Sequence, residues 1–245
     1  EKERERKKDE KERYETLQFN ISQAIPHELL TPLNGIIGFA SFMKDPNSNF
    51  SPNRIIEFSD GIYESATRLL STIKKFIYYT EVELLLNDPV KKVNLLKETV
   101  DLATFVLANQ IDIITKKYNR QTDLVFIPDV FSAKISLSHF EIIISNIIDN
   151  AFKFSNLGDK VTIRIFKDDT FVNISFRDTG IGMNTDKKKE IEAFTQFDRK
   201  KLEQQGLGLG LITAKKLIEF YGGKINWVKN TDKGTTVNVT LLLAD

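Results

Sequence analysis

The stretch Asn146-Ile147-Ile148-Asp149-Asn150-Ala151-Phe152-Lys153 decides how this chain is organised. In a helix, Asn146, Asn150 and Lys153 recur four and three residues apart, so they share one face. The isoleucines and the alanine supply an apolar face that holds the helix on a core. Two amide oxygens beside an ammonium group suit a magnesium ion and the phosphates that it bridges. The alternative is an ordinary amphipathic helix with its asparagines in solvent, and the octapeptide alone does not separate the two.

Two glycine-rich segments downstream favour ligand binding. Asp178-Thr179-Gly180-Ile181-Gly182 follows a predicted strand, and Gly206-Leu207-Gly208-Leu209-Gly210 opens a predicted helix. The glycines of the first segment let the backbone approach a ligand without a Cβ in the way. Those of the second leave free backbone donors and the positive end of a helix dipole facing phosphates.

With the asparagine helix, these segments resemble the N, G1 and G2 boxes of sensor histidine kinases, within the gyrase/Hsp90-like ATP-binding superfamily. The resemblance implies a site for ATP and Mg²⁺. On this resemblance, Asn150 is expected to be the best metal ligand, Asn146 to assist the metal or the phosphates, and Lys153 to neutralise phosphate charge. The resemblance also implies that Asp178 accepts a hydrogen bond from the adenine amine, which would disfavour guanine because guanine presents an acceptor there.

Two further segments complete the nucleotide site that the resemblance implies. Phe197 belongs to a segment similar to the F box, inside a polar, lysine-rich stretch over residues 184–205. Such a stretch is expected to form a mobile lid over the nucleotide. Gly234-Thr235-Thr236 resembles the last box, on the adenine side, and Thr236 is its predicted contact residue.

The segment His27-Glu28-Leu29-Leu30-Thr31-Pro32-Leu33 resembles the phospho-acceptor box of the same family. His27 projects away from the apolar stripe of its predicted helix. Imidazole is a competent nucleophile near pH 7, and Glu28 can accept the proton of its other ring nitrogen. The resemblance gives Thr31 a role in a reverse, phosphatase reaction. Pro26 stands where the family commonly has Ser, which predicts a bend just before His27.

Three segments are predicted along the chain. Residues 1–16 are densely charged and are expected to form a helical signalling linker. Residues 17–86 form a dimerisation and phospho-acceptor domain, a helical hairpin whose second helix carries apolar residues at heptad spacing. Such seams are buried by pairing with a second copy as a four-helix bundle or by packing on the C-terminal domain, and the resemblance favours the homodimer. Residues 87–245 form the catalytic ATP-binding domain, after the break at Asn87-Asp88-Pro89.

Within the last domain, periodicity predicts helices and strands, and the resemblance implies that they assemble into an α/β sandwich, so the expected overall class is α+β. Strands are expected over 90–93, 123–127 and 131–135, and a helix over 95–118. The asparagine helix is expected to begin at the capping box Ser138-His139-Phe140-Glu141, with His139 in a structural role. Hairpins over 161–176 and 224–243 flank the glycine-rich helix.

Composition excludes several other classes of function. The 245 residues carry 35 basic and 34 acidic side chains, so no net field favours nucleic acid or an anionic membrane. Cysteine is absent, which excludes disulfides, thiolate zinc sites and cysteine nucleophiles. There is neither an apolar run of about 18 residues nor a signal-peptide pattern. These features predict a cytoplasmic part of a longer protein, without direct membrane contact of its own.

The predicted function is an ATP-dependent protein-histidine autokinase of a two-component system. It would phosphorylate His27 and pass the phosphoryl group to an aspartate of a response-regulator receiver domain, downstream of a sensor domain. One alternative is a dimeric signalling scaffold without catalysis, and another is a gyrase/Hsp90-like ATPase. In such ATPases an acidic general base occupies the position of Asn146, and an amide cannot take a proton.

Overall fold

The computed structural model describes residues 28–44, 49–86, 88–182 and 208–244. The described residues up to Tyr79, together with residues 208 and 209, form one compact unit, and residues 80–86, 88–182 and 210–244 form a second. The units therefore divide within a helix, whereas the domain boundary at residue 87 stays a prediction. The charged linker over residues 1–16 lies outside the described residues.

The first unit is a helical hairpin. Residues 28–43 form α1 and Pro52–Leu86 form α2, which continues into the second unit. Proline suits the first turn of α2 because its missing N–H has no partner there in any helix. Near the connection, the buried ring of Phe58 contacts Phe39, Phe42 and Phe50 at centroid distances of 6.0, 6.1 and 5.0 Å. This aromatic cluster fixes how the two helices pair.

The apolar seam residues of this hairpin that the structure describes are exposed or half-buried. Leu33 on α1 is 38% exposed, and Ile73 on α2 is 39% exposed. The helical hairpin is as predicted, but its seams lie on accessible surface. None of the helices in the described part of the chain has the length and apolar surface that a membrane crossing requires.

The strand predicted over 90–93 is wrong, because these residues lie in helix α3, Pro89–Leu95. Asp88 caps this helix: its Oδ1 accepts hydrogen bonds from the backbone N–H groups of Val90, at 3.0 Å, and Lys91, at 3.1 Å. An aspartate cap followed by proline at the first helical position starts a helix strongly enough to override the β preference of valine.

The helix predicted from residue 95 starts later, because α4 spans Ala103–Lys117. Leu102 has φ 49°, a left-handed conformation that no helix can continue through. The strand predicted over 131–135 is also wrong. Only Ala133 pairs there, in isolated bridges with Val100 and Leu243.

The second unit contains a five-stranded sheet covered on one face by helices. The strands are β1 Leu124–Ile127, β2 Val161–Lys167, β3 Phe171–Asp178, β4 Lys224–Lys229 and β5 Thr235–Leu242. Their order is β1-β2-β3-β5-β4, and all neighbours are antiparallel except β1 and β2. Both predicted hairpins are present, because the alternation of apolar and polar residues matches the sheet period.

Helices α5, Leu137–Lys153, and α6, Leu209–Phe220, complete the unit. The cap of α5 is Ser136 and not the predicted Ser138, since Ser136 Oγ accepts the N–H of His139 at 3.4 Å. The core lies between helices and sheet. Its buried residues include Leu107, Ile111, Phe140, Ile143, Ile144, Ile147, Ile163, Ile174, Phe176, Leu217, Ile218 and Val239. The predicted α+β class, a helical hairpin followed by an α/β sandwich, is confirmed.

Candidate nucleotide-binding site

The polar side chains of helix α5 face two different directions. Asp149 faces α4, where Lys117 Nζ donates to its Oδ1 at 2.6 Å and the Tyr118 hydroxyl donates at 3.0 Å. Burial and the Asp149 carboxylate raise the pKa of Tyr118, so the phenol remains a donor. On the predicted binding side, Asn150 is half-buried and Lys153 is exposed. The helix is therefore fixed by one polar side and presents the other.

Asn146 lies where α5 meets the beginning of α6. Its side chain is 9% exposed, and its Nδ2 donates to the carbonyl oxygen of Ile142 at 2.8 Å. A Cβ on Gly210 would lie 2.6 Å from Asn146 Oδ1, so only glycine allows this close approach. The predicted N and G2 segments thus meet in space, with the N-terminal turn of α6 beside the amide oxygen.

Asp178, at the end of β3, has a buried and oriented carboxylate. It is 8% exposed, and its Oδ1 accepts the N–H of Gly180 at 2.9 Å and the N–H of Thr235 at 3.2 Å. Both of these hydrogen bonds reach Oδ1, and no other residue in the described part of the chain donates to this carboxylate. Burial raises the pKa of Asp178, and the backbone donors oppose that shift. The carboxylate therefore offers one oxygen to a ligand.

Glycines pack the backbone tightly around this carboxylate. A Cβ on Gly180 would overlap the carbonyl oxygen of Phe154, which accepts the N–H of Ile181 at 3.1 Å. Gly234 has φ 86°, and a Cβ there would overlap the carbonyl of Asp178. Gly182 also has a positive φ, 74°, a conformation that side chains disfavour. These glycines hold the loop after β3 against both the end of α5 and the β4–β5 turn.

Thr236, the contact residue that the resemblance implied, hydrogen-bonds a residue of the β4–β5 hairpin. Its Oγ1 donates to Asn230 Oδ1 at 2.6 Å. Because side chains alternate along β5, Thr236 and Thr235 point to opposite faces of the sheet. Thr235 is buried, and its N–H contacts Asp178. The geometry therefore favours Thr235 over Thr236 as the threonine of the site.

Sequence reasoning missed Arg120, which is 4% exposed behind the site. Its Nε donates to Asp123 Oδ2 at 2.6 Å, and that hydrogen bond holds the pKa of Asp123 below its usual range. Its guanidinium also donates to the carbonyl oxygens of Phe152, Ser155 and Asp159 at 3.0, 2.9 and 2.7 Å. Arg120 thus fixes the end of α5 and the loop that follows. The aspartate three residues later was the only local sign of this role.

The predicted phospho-acceptor His27 lies outside the described residues, as do Pro26, Phe197 and Gly206. Glu28 is buried and Thr31 is exposed on α1. His139 has the predicted structural role: its Nδ1 lies 2.8 Å from the hydroxyl oxygen of Tyr221. Burial lowers the pKa of His139, so the ring is neutral near pH 7.

Two family models match the chain in the order that the folded units follow. Residues 20–84 match the His Kinase A (phospho-acceptor) domain. Residues 136–245 match the histidine kinase-, DNA gyrase B- and HSP90-like ATPase. The second match contains Asn146, Asp178 and Gly210, the residues around which the site is built.

Known proteins resemble the chain over nearly its full length. The sensor protein GacS of Pseudomonas syringae pv. syringae is 32% identical over 228 residues, 89% of this chain and 24% of the relative. The sensor protein KdpD of Clostridium acetobutylicum is 30% identical over 236 residues, 95% of this chain and 25% of the relative. The chain thus spans about a quarter of the length of these relatives.

Among solved structures, the Acinetobacter baumannii histidine kinase AdeS has a similar fold, with a TM-score of 0.62 at 18% identity. That similarity covers 89% of this chain and 98% of AdeS. Matches to both domains, in the order of the folded units, confirm the predicted family. The chain belongs to the sensor histidine kinases and carries their catalytic core, a phospho-acceptor domain followed by an ATP-binding domain.

Proposed function

We propose that this chain is an ATP-dependent protein-histidine autokinase that transfers the γ-phosphoryl group of ATP to His27. The observation that supports it most is the carboxylate of Asp178, held through Oδ1 by two backbone donors. Oδ2 can then accept the exocyclic amine of adenine. Guanine would present a carbonyl oxygen to this carboxylate, and two facing acceptors cost affinity.

The phosphates of ATP would lie between α5 and the N-terminus of α6. The close approach of Gly210 to Asn146 brings backbone donors and the positive end of the α6 dipole beside the amide oxygen. Asn150 and Asn146 supply neutral oxygen ligands, and Lys153 supplies a positive charge. This donor set fits Mg²⁺ shared with phosphate oxygens, which the ion prefers to an all-protein site. When bound, the ion would neutralise charge on the phosphates.

The residues of the acceptor segment account for each bond and proton that change in the phosphoryl transfer. A neutral ring nitrogen of His27 forms a bond to the γ-phosphorus, while the bond from that phosphorus to the bridging oxygen of ADP breaks. The proton on the other ring nitrogen passes to the Glu28 carboxylate, which stabilises the charge that develops on the ring. The product is a phosphohistidine and ADP.

An amide at Asn146 favours this transfer over hydrolysis. The Asn146 side chain already donates to the Ile142 carbonyl, and an amide cannot accept a proton from water at neutral pH. A gyrase/Hsp90-like ATPase needs such a base. A scaffold without catalysis would not need the oriented carboxylate of Asp178.

Dimerisation is part of the proposal. The accessible apolar seams of the hairpin, which include Leu33 and Ile73, would be buried by a second copy in a four-helix bundle. The partners of the phosphorylated form would be receiver domains of response regulators, with Thr31 positioning water in the reverse phosphatase reaction. We place the activity in the cytoplasm, downstream of a sensor domain in the longer protein.

Incubation with γ-labelled ATP tests the autokinase directly. The chain should retain label that is labile in acid and stable in alkali, as expected for a phosphoramidate. His27→Gln should abolish stable labelling while leaving ATP affinity unchanged, because His27 is assigned to the acceptor segment. Release of inorganic phosphate without retained label would favour the ATPase, and neither product would favour the scaffold. Labelling of His27→Gln at the wild-type rate would refute the acceptor assignment.

A further inference from the structure

The turn between β4 and β5 lies against the backbone of Asp178, and one side chain joins the two. Asn230 Nδ2 donates to the carbonyl oxygens of Asp178, at 2.9 Å, and Lys233, at 3.0 Å. Its Oδ1 accepts the hydroxyl of Thr236 at 2.6 Å, and its backbone N–H donates to the Gly234 carbonyl at 3.0 Å. The Asn230 amide therefore ties the residue that bears the carboxylate to the turn.

The same turn supplies part of the orientation of the carboxylate. The N–H of Thr235, which follows the turn directly, is one of the two donors that hold Asp178 Oδ1. If the turn moved away from β3, the carboxylate would lose that donor. The backbone carbonyl of Asp178 would also lose its partner in a largely buried position, where an unpaired polar group is costly.

A second link between the turn and its surroundings is weaker. Lys233 Nζ lies 3.0 Å from Asp159 Oδ1, but about half of the lysine side chain is exposed. Ion pairs in contact with water contribute little, because solvent screens them and the side chains lose freedom. Arg177 of β3 also holds the turn, since it donates to Asp232 Oδ1 and Oδ2 at 2.9 and 2.8 Å, but about half of each of these side chains is exposed as well. The hydrogen bond from Asn230 is therefore the less exposed attachment, and it is the one that reaches the backbone of Asp178 itself.

We infer that Asn230 is a positioning residue for nucleotide selection: it keeps the Asp178 carboxylate in the orientation that accepts adenine, without touching the nucleotide. This role rests on the proposed function, because it requires that Asp178 binds the adenine amine. It concerns the selection of adenine over guanine and goes beyond the stability of the hairpin.

The test is calorimetric binding of ADP and GDP to the chain and to three variants. Asn230→Ala should weaken ADP binding about tenfold, as expected for one displaced hydrogen bond to a charged group, and should weaken GDP binding much less. Asn230→Asp keeps the shape and the acceptor for Thr236 but loses the donor to Asp178, so it should show the same loss. Asn238→Ala is the matched control, since this asparagine of β5 hydrogen-bonds Asn226 and not Asp178.

The ratio of ADP to GDP affinity separates positioning from folding. If Asn230 had a purely structural role, its substitution would weaken the binding of ADP and GDP alike. An unchanged ratio of ADP to GDP affinity in both Asn230 variants therefore overturns the positioning role. The near-isosteric Asn230→Asp supplies this measurement if the alanine variant does not fold. If the unaltered chain itself does not prefer ADP to GDP, it is the adenine assignment within the proposed function that fails.

Discussion

Replacing Asp178 by asparagine tests the adenine site with the smallest change of shape. The variant keeps an Oδ1 that can accept the N–H groups of Gly180 and Thr235, which lie 2.9 and 3.2 Å from Oδ1 of the unaltered Asp178. Its second atom becomes an NH₂ group that faces the amine of adenine, so a donor replaces an acceptor. Leaving a buried hydrogen-bonding group unpaired costs about 1–3 kcal/mol, so ATP should bind about 5- to 150-fold more weakly.

The stability of the nucleotide-free chain should move in the opposite direction. Burial raises the pKa of Asp178 in the folded state above its ordinary value. A raised carboxyl pKa means that the associated stability is present below the ordinary pKa and is lost as pH rises through the folded value. At pH 7 the ionised carboxylate therefore destabilises the folded state. Asp178→Asn should be at least as stable as the unaltered chain at pH 7, and any gain should shrink in acid.

Isothermal calorimetry with ATP and thermal unfolding without it measure the two effects separately. Weaker ATP binding with equal or greater unfolding temperature is the expected pair of results. ATP affinity of the unaltered chain should also fall as pH drops through the raised pKa of Asp178, since a protonated carboxyl is a poorer acceptor. Unchanged ATP affinity in Asp178→Asn would refute the adenine assignment.

Two glycine substitutions test other features of the second unit. Gly210→Ala places a Cβ 2.6 Å from Asn146 Oδ1, which must shift, and should weaken Mg²⁺-ATP binding about twofold to tenfold. The helix preference of alanine should offset part of the cost of this shift in stability. Gly38→Ala, where the added Cβ meets nothing within 4 Å, is its control in calorimetry and thermal unfolding. Leu102→Gly should raise the free energy of unfolding by about 1 kcal/mol in urea titration, because φ 49° strains leucine but not glycine. Asn119→Gly, at φ 52°, should gain less, since asparagine tolerates this conformation.

Opposite results would count against these readings of the geometry. Unchanged Mg²⁺-ATP affinity in Gly210→Ala would mean that Asn146 does not bind the metal or the phosphates. A loss of stability in Leu102→Gly would mean that the half-exposed leucine side chain contributes more to folding than its backbone costs.

Local patterns predicted most of the elements but misplaced several of their ends. The period of apolar residues located α2, α5 and both hairpins, because each buries one face. The valines of residues 90–93 predicted a strand because valine favours strands, whereas the cap at Asp88 starts a helix there. The capping-box pattern also favoured Ser138 over Ser136 as the cap of α5. The hydroxyl of Tyr221, 85 residues later in the sequence, donates to Ser136 Oγ at 3.2 Å and holds this side chain in place.

By itself, the sequence determined the family and the order of the two domains, and it predicted Asn146, Asp178 and Gly210 as site residues, because motif spacing and periodicity are local properties. Only the tertiary structure placed the N–H of Thr235 on the Asp178 carboxylate, Arg120 on the carbonyl oxygens at the end of α5, and Asn230 on the backbone carbonyl of Asp178. Asn230 and Asp178 are 52 residues apart, and Arg120 and Ser155 are 35 apart. Hydrogen bonds over such separations depend on how strands and loops meet in space, and they leave no periodic signal in the chain.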